Sequence, residues 1–240
     1  MYRKIRNAVS LLSLILFPLT FYYFSPVLPM QGASEGLIAG SLILFLFLFL
    51  SSLVTGRLFC SWICPAGVIQ DIAGQSRTKA VKVRSISWIK YLVWIPWLLL
   101  VLFLFRRAGG IQGADFFYQT EYGVSLTRFA DAVIYGIVIL VFYLMSMIFG
   151  RRAACHTICW MAPFMVLGKK TGEIFRIPSL KIKTDPEKCV SCGRCSSVCP
   201  MSLPVESYGK KGKLNDANCI LCGRCIEVCK RNVFTFQIMK

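Results

Sequence analysis

The sequence predicts an all-α membrane domain of four transmembrane helices, arranged as two parallel helix-pair repeats, followed by a small α+β domain built around metal-ligating cysteines. Three observations carry that expectation. Four apolar stretches are each about as long as a bilayer requires. The composition turns polar, basic and cysteine-rich near residue 168. The twelve cysteines fall into two repeated spacings, with none left over. Bulk properties agree, since 56 % of the 240 residues are hydrophobic and the mean hydropathy is +0.61, which soluble domains rarely reach. We therefore expect a membrane domain over 1–167 and a soluble domain over 168–240.

The N-terminus, MYRKIRNAVSLLSLILFPL, has the basic start and apolar stretch of a signal peptide but no small-residue cleavage site, and reads as an uncleaved first span. The spans are expected at 8–28, 37–55, 86–105 and 130–149, with Pro18 and Pro96 kinking two of them. Tyr22, Tyr23, Trp88 and Trp160 fall near span ends, where amphipathic rings favour the interface. Orientation follows from the basic residues. Arg3, Lys4 and Arg6 precede span one; Arg57, Arg77, Lys79, Lys82 and Arg84 follow span two; Arg151, Arg152, Lys169 and Lys170 follow span four. The connection 25–36 has none, and 106–129 has Arg106, Arg107 and Arg128 beside Asp115 and Glu121. The expectation is a multi-pass protein of the cytoplasmic (inner) membrane, with the N-terminus and the C-terminal domain in the cytoplasm.

The membrane half also repeats. Gln31-Gly32-Ala33 precedes span two and Gln112-Gly113-Ala114 precedes span four. Gly56-Arg57 opens a segment containing Cys60 and Cys64, and Gly150-Arg151 opens one containing Cys155 and Cys159. Each half is a helix pair running the same way, which makes the repeat parallel.

Residues 189–200 read CVSCGRCSSVCP and residues 219–230 read CILCGRCIEVCK. Both are C-x2-C-x2-C-x3-C, the ligand spacing of a bacterial two-cluster ferredoxin, in which the fourth cysteine serves the other cluster. Cys189, Cys192, Cys195 and Cys229 are expected to hold one [4Fe–4S] cluster. Cys219, Cys222, Cys225 and Cys199 are expected to hold the second. Gly193 and Gly223 let the backbone wrap close to the cluster. Segments around Ile182 and over 233–238 have strand character. A pair of zinc sites is the alternative to clusters, and the doubled eight-cysteine pattern argues against it.

Residues 60–65 read CSWICP, and 155–160 read CHTICW. If a helix continued past the lipid, each cysteine pair would share one face at i and i+4. Brought together by the repeat, Cys60, Cys64, Cys155 and Cys159 would give four thiolates for a third centre, an iron–sulfur cluster or zinc. A helix C-terminus disfavours thiolates, and Arg57, Arg151 and Arg152 would offset that. A dithiol or four buried apolar cysteines are the other readings. His156 is the only histidine, which excludes a bis-histidine haem within the chain. It is a candidate to accept a proton from, or hydrogen-bond to, a quinone or a cluster. Asp71, Asp115, Glu121 and Asp131 are alternatives for that role.

Several classes drop out. A disulfide scaffold would be short, secreted and without spans. The net charge of +17 suits anionic lipid headgroups and an acidic redox partner. Nucleic acid is not expected, because the basic residues flank apolar spans instead of forming an aromatic-studded patch.

Spans, paired C-x3-C segments and a C-terminal two-cluster domain together resemble the NapH/NosR-type membrane polyferredoxins, over nearly the whole chain. GRLFCSWICPAG fits that group's C-x3-C-P-x-G pattern at Cys60, Cys64, Pro65 and Gly67, whereas Trp160 stands where the second copy would have proline. The chain looks closer to the compact NapH-like members. The resemblance implies an electron-transfer subunit linking the quinone pool or a membrane redox partner to a dehydrogenase, reductase or cytochrome, as a conduit and not a stand-alone enzyme. An assembly factor supplying electrons for metal-site biogenesis and a redox-sensing regulator are the alternatives.

Overall fold

The computed structural model describes residues 2–76, 80–81 and 86–239. Arg77, Lys79, Lys82 and Arg84, counted above for orientation, lie outside the described residues, as does the side chain of Arg3.

Helix α1 (Tyr2–Thr20) accommodates Pro18 in its last turn, and a 3-10 turn (Phe21–Phe24) leads to α2 (Val27–Ser34). The expected second span is helical only over α3 (Gly40–Thr55), because Leu37–Ala39 form β1 instead. β1 pairs in parallel with β2 (Gly113–Asp115), Leu37 opposite Gly113. Sixteen helical residues reach about 24 Å, short of the ~30 Å hydrocarbon core. Among the described residues, three segments are long and apolar enough to cross a membrane: Lys4–Ser34, α6 (Ile89–Arg107) and α7 (Phe129–Phe149). Their outer faces leave Ile15, Leu99, Phe103 and Ile137 exposed, an apolar belt that water disfavours.

The two Gln-Gly-Ala triplets are not equivalent. Residues 31–33 lie in α2, whereas Gly113 and Ala114 lie in β2. The correspondence sits at the other end of the helices. Helix α3 ends at Gly56, whose N–H donates to the Ser52 carbonyl at 3.0 Å. Helix α7 ends at Gly150, whose N–H donates to the Ser146 carbonyl at 3.1 Å. Both glycines have positive φ, +58° and +114°, and so can turn the chain sharply back. A short helix follows each turn, α4 (Phe59–Trp62) and α8 (Ala153–Thr157), and then a longer one, α5 (Pro65–Ser76) and α9 (Met161–Ile174).

The packing is exchanged between the halves: α9 lies on α3, and α5 lies on α7. A Cβ at Gly168 would sit 1.9 Å from Ser52 Oγ and 2.3 Å from the Phe49 carbonyl oxygen, so the close approach of α9 to α3 requires glycine there. On the other side, Ser146 Oγ donates to the Gln70 carbonyl at 3.2 Å.

Helix α9 continues through residue 168 to Ile174. Beyond it, β3 (Ser179–Thr184) is the centre of an antiparallel sheet ordered β4–β3–β5, with β4 at Lys213–Leu214 and β5 at Phe234–Met239. Ile182 lies opposite Phe236 on one side and Leu214 on the other. Short helices α10 (Arg194–Ser197), α11 (Val205–Gly209) and α12 (Arg224–Val228) complete this part. One hydrophobic core runs from Phe17 and Phe45 past Cys60 and Cys155 to Met201, Leu214 and Phe234. The membrane half and the C-terminal part therefore share their interior.

Candidate metal centres

Cys60 lies in α4 and Cys155 in α8. The backbone then breaks: the Cys64 N–H donates to the Phe59 carbonyl at 2.9 Å and the Cys159 N–H to that of Ala154 at 3.1 Å. Cys64 immediately precedes α5, and Cys159 stands two residues before α9. This corrects the expected geometry. No helix continues past the spans to carry each pair on one face, and the second thiol of each pair meets a helix N-terminus, not a C-terminus. The N–H groups of Gly67 and Ala162 face the Cys64 and Cys159 sulfurs, an arrangement that favours thiolates.

These turns bring all four cysteines to one enclosed cavity, walled by Arg57, Ala66, Phe142, Trp160, Met161 and Met165. Phe142 stands seven residues before the end of α7, so the cavity lies about 10 Å inside that helix end. The exchange of elements continues here. Gln70 Nε2 of α5 lies 3.1 Å from Cys155 Sγ of the other half, and Met165 Sδ of α9 lies 3.8 Å from Cys60 Sγ. Gln70 is held in place by the Ala154 N–H, which donates to its Oε1 at 3.1 Å.

A buried guanidinium faces the four cysteines across this cavity. Arg57 is 0 % exposed, its Nη2 is 3.9 Å from Cys60 Sγ, and its Nε has no hydrogen-bond partner. Burial alone would lower its pKa, but the sulfurs of Cys60, Cys159 and Cys155 outweigh that and raise it. Burial pushes the thiols the other way, Cys64 and Cys155 upward and Cys159 to about 12. Four neutral thiols beside a buried guanidinium leave its charge uncompensated, which is costly. Four thiolates around a metal-containing group would compensate it. Among the described residues, no three cysteine, histidine or carboxylate side chains form a group that could hold one metal ion directly.

In the C-terminal part, Cys199, Cys219, Cys222 and Cys225 line one cavity, and Cys189, Cys192, Cys195 and Cys229 line a second, more open one of about 250 Å³. The backbone repeats at an offset of 30 residues. Ser191 and Leu221 have φ of +55° and +53°, Gly193 and Gly223 +72° and +75°, and Ser202 and Asn232 +52° each. Alternation of left- and right-handed residues turns successive N–H groups toward one concavity, a shape suited to anionic clusters.

The half nearer the membrane part is docked onto it. Ser61 Oγ donates to the Ile220 carbonyl at 2.7 Å and Arg6 Nη1 to that of Cys222 at 2.5 Å. Lys169 Nζ donates to the Asp216 carbonyl at 2.7 Å, and Lys90 Nζ to Asn218 Oδ1 at 2.8 Å. Asp71 ties the two parts together. Arg152 Nε and Nη2 each reach it at 2.9 Å, and Arg224 Nη2 reaches it at 2.6 Å. Arg152 Nη1 also donates to the Cys60 carbonyl at 2.7 Å.

His156 is 0 % exposed and neither ring nitrogen completes a hydrogen bond, although the Met201 backbone faces it. Burial, then Arg57 and Lys90, lower its pKa to about 3, so it is neutral at pH 7. It lines neither the four-cysteine cavity nor the open cleft described next. That cleft, about 770 Å³, opens between α1, α5 and the C-terminal part, with Arg6, Leu11, Gln70, Ile72, Arg151 and Val198 in its wall. Asp71 also lines it, whereas Asp115, Glu121 and Asp131 do not. Asp131 caps α7, accepting from the Arg128 N–H at 3.0 Å and from the Tyr22 hydroxyl. Sequence reasoning missed Gln70 and Met165. Their signal was their matching distance after Cys64 and Cys159 in the two halves.

A family described as a 4Fe-4S binding domain matches residues 37–84, and one described as a 4Fe-4S dicluster domain matches residues 181–230. The chain is 25 % identical to YccM of Escherichia coli, named for electron transport, over 70 % of this chain and 48 % of that one. It is 27 % identical to the methylamine utilization ferredoxin-type protein MauN of Paracoccus denitrificans, over 73 % of this chain and 60 % of that one. It is 28 % identical to the ferredoxin-type protein NapH of Escherichia coli, over 73 % of this chain and 59 % of that one. The chain thus spans about half to three-fifths of the length of these relatives. No solved structure matches it.

Proposed function

The chain is a membrane polyferredoxin of the NapH/NosR type, and from that premise we propose that it conducts electrons between the membrane and other redox proteins through three cysteine-held centres in series. The single observation that carries this reading is the sorting of twelve cysteines into three sets of four around three cavities. Iron–sulfur clusters in those sets would supply one-electron carriers. Cys60, Cys64, Cys155 and Cys159 would hold the membrane-side centre. Cys199, Cys219, Cys222 and Cys225 would hold the proximal [4Fe–4S] cluster, and Cys189, Cys192, Cys195 and Cys229 the distal one. We take a cluster in preference to zinc at Cys60, Cys64, Cys155 and Cys159, because the family matching residues 37–84 is described as a 4Fe-4S binding domain.

The chain's own residues have separable tasks. Arg57 balances thiolate charge, while Gln70 and Met165 touch one sulfur from each half. Arg6, Ser61, Lys169 and Asp71 hold the proximal set against the membrane half. We take α3 as the second of four spans, tilted or in locally thin bilayer, and α3–α5 and α7–α9 as two parallel repeats. The soluble part would begin after α9, later than the boundary at 168, with it and the N-terminus in the cytoplasm. A quinone would exchange electrons in the cleft between α1 and α5, beside Gln70, with His156 outside that role. We read the chain as an electron-transfer subunit of an oxidoreductase complex in anaerobic respiration, working with dehydrogenase, reductase or cytochrome partners.

The test is anaerobic mixing of the cluster-loaded chain in liposomes with a reduced short-chain quinol. Bleaching of the cluster absorbance, slowed by Gln70→Leu or Ile72→Trp at unchanged iron content, is the expected result. No bleaching with quinol, but bleaching with dithionite, would remove the quinone from the account. Purification as a solitary chain that reduces copper or iron would instead favour an assembly role.

A further inference from the structure

The two halves of the C-terminal part are copies offset by 30 residues, yet only one of them is covered. In the covered half, Ile220 and Cys222 offer carbonyls to Ser61 and Arg6, and Arg224 takes the carboxylate of Asp71. Thirty positions earlier stand Val190, Cys192 and Arg194, with the same local backbone. All three are exposed, Val190 at 60 % against 2 % for Ile220. They rim the distal cavity together with Lys188, Lys230 and Arg231, while Glu206 is the carboxylate in its wall. Lys188 is paired with Asp185 at 2.8 Å.

We propose that the exposed rim at Val190, Cys192 and Arg194 is a second copy of the surface already used against the membrane half, and that it docks a soluble one-electron redox protein bearing carboxylates around its centre. The inference rests on the three-centre reading above. The internal copy supplies the chemistry of the occupant. A partner carboxylate takes the place at Arg194 that Asp71 takes at Arg224, and partner N–H or O–H groups meet the Val190 and Cys192 carbonyls. Lys230 and Arg231 steer an acidic surface toward this rim and repel a basic one. Across such an interface a single electron passes in either direction. The donor centre is oxidised by one unit and the acceptor reduced by one, with no bond or proton moved.

The test uses the full cluster-loaded chain in detergent, with acidic plant-type ferredoxin as probe and basic cytochrome c as its opposite. Binding is read by thermophoresis at low and high salt, and the surface by lysine acetylation with mass spectrometry. The expected result is binding of the acidic probe that salt weakens, protection of Lys188 and Lys230 but not Lys210 or Lys211, and roughly tenfold weaker binding in Arg194→Glu and in Lys230→Glu. Lys210→Glu should bind as the parent does. Iron content of every variant is measured alongside. Equal binding of both probes, no binding of the acidic probe, or unchanged binding in Arg194→Glu and Lys230→Glu at full iron content overturns the docking surface while leaving the clusters standing. Iron absent from the parent chain itself would instead sink the reading on which the inference rests.

Discussion

Asp71 pairs with two arginines, Arg152 from the membrane half and Arg224 from the C-terminal part. Burial would raise its carboxyl pKa, but Arg152 and then Arg224 outweigh that and hold it below the ordinary carboxylate range. A depressed folded-state pKa means the ion pairs are fully present above about pH 4 and fade as pH falls through the folded value. Asp71→Asn leaves the buried Arg152 charge without its partner, and a broken buried pair costs about 3–5 kcal/mol. We expect this variant to melt earlier in detergent and to expose the 216–224 loop to proteolysis, both at unchanged pH. A protease pattern identical to the parent would show that Asp71 does not hold the two parts together. Asp71 was visible in the sequence only as one carboxylate among several, because nothing local says that two arginines 81 and 153 residues away converge on it.

At the scale of elements, sequence periodicity located the apolar runs but not how they turn. Residues 37–39 are as apolar as the helix that follows, and their pairing with residues 113–115 makes them a strand. The i and i+4 spacing would put each cysteine pair on one face only if a helix continued through the C-x3-C segment. Gly56 and Gly150 instead reverse the chain, so the thiols lie inside the helix ends. The eight-cysteine motif was legible because the ligand spacing is set by the cubane itself, while the exchange of α5 and α9 between halves is a tertiary fact with no local signature. The tightest seam in that exchange is α9 on α3. Gly168→Ala would place a methyl 1.9 Å from Ser52 Oγ, and overpacking of this kind costs about 1–3 kcal/mol. We expect a lower melting temperature and loss of iron from the membrane-side set before the other two. Loss in the reverse order would mean that the seam does not position Cys159.

At the scale of the molecule, the three proposed centres are sequential, with the proximal set between the membrane side and the exposed distal set. Cys222→Ser should then interrupt electron passage from quinol to a soluble acceptor, whereas Cys192→Ser should leave reduction of the inner centres by quinol intact. Rapid-freeze EPR of the two variants separates these outcomes, and equal inner-centre reduction in both, with equal transfer onward, would contradict the order.

Iron and acid-labile sulfide counts on anaerobically purified protein, with EPR of the reduced form, are the direct test of the third four-cysteine centre. Three [4Fe–4S] clusters give about 12 Fe per chain. We predict that value, falling to about 8 Fe in Cys60→Ser and Cys155→Ser with the two ferredoxin signals retained. A parent chain with about 8 Fe, unchanged by those substitutions, would contradict the third centre and leave a two-cluster carrier.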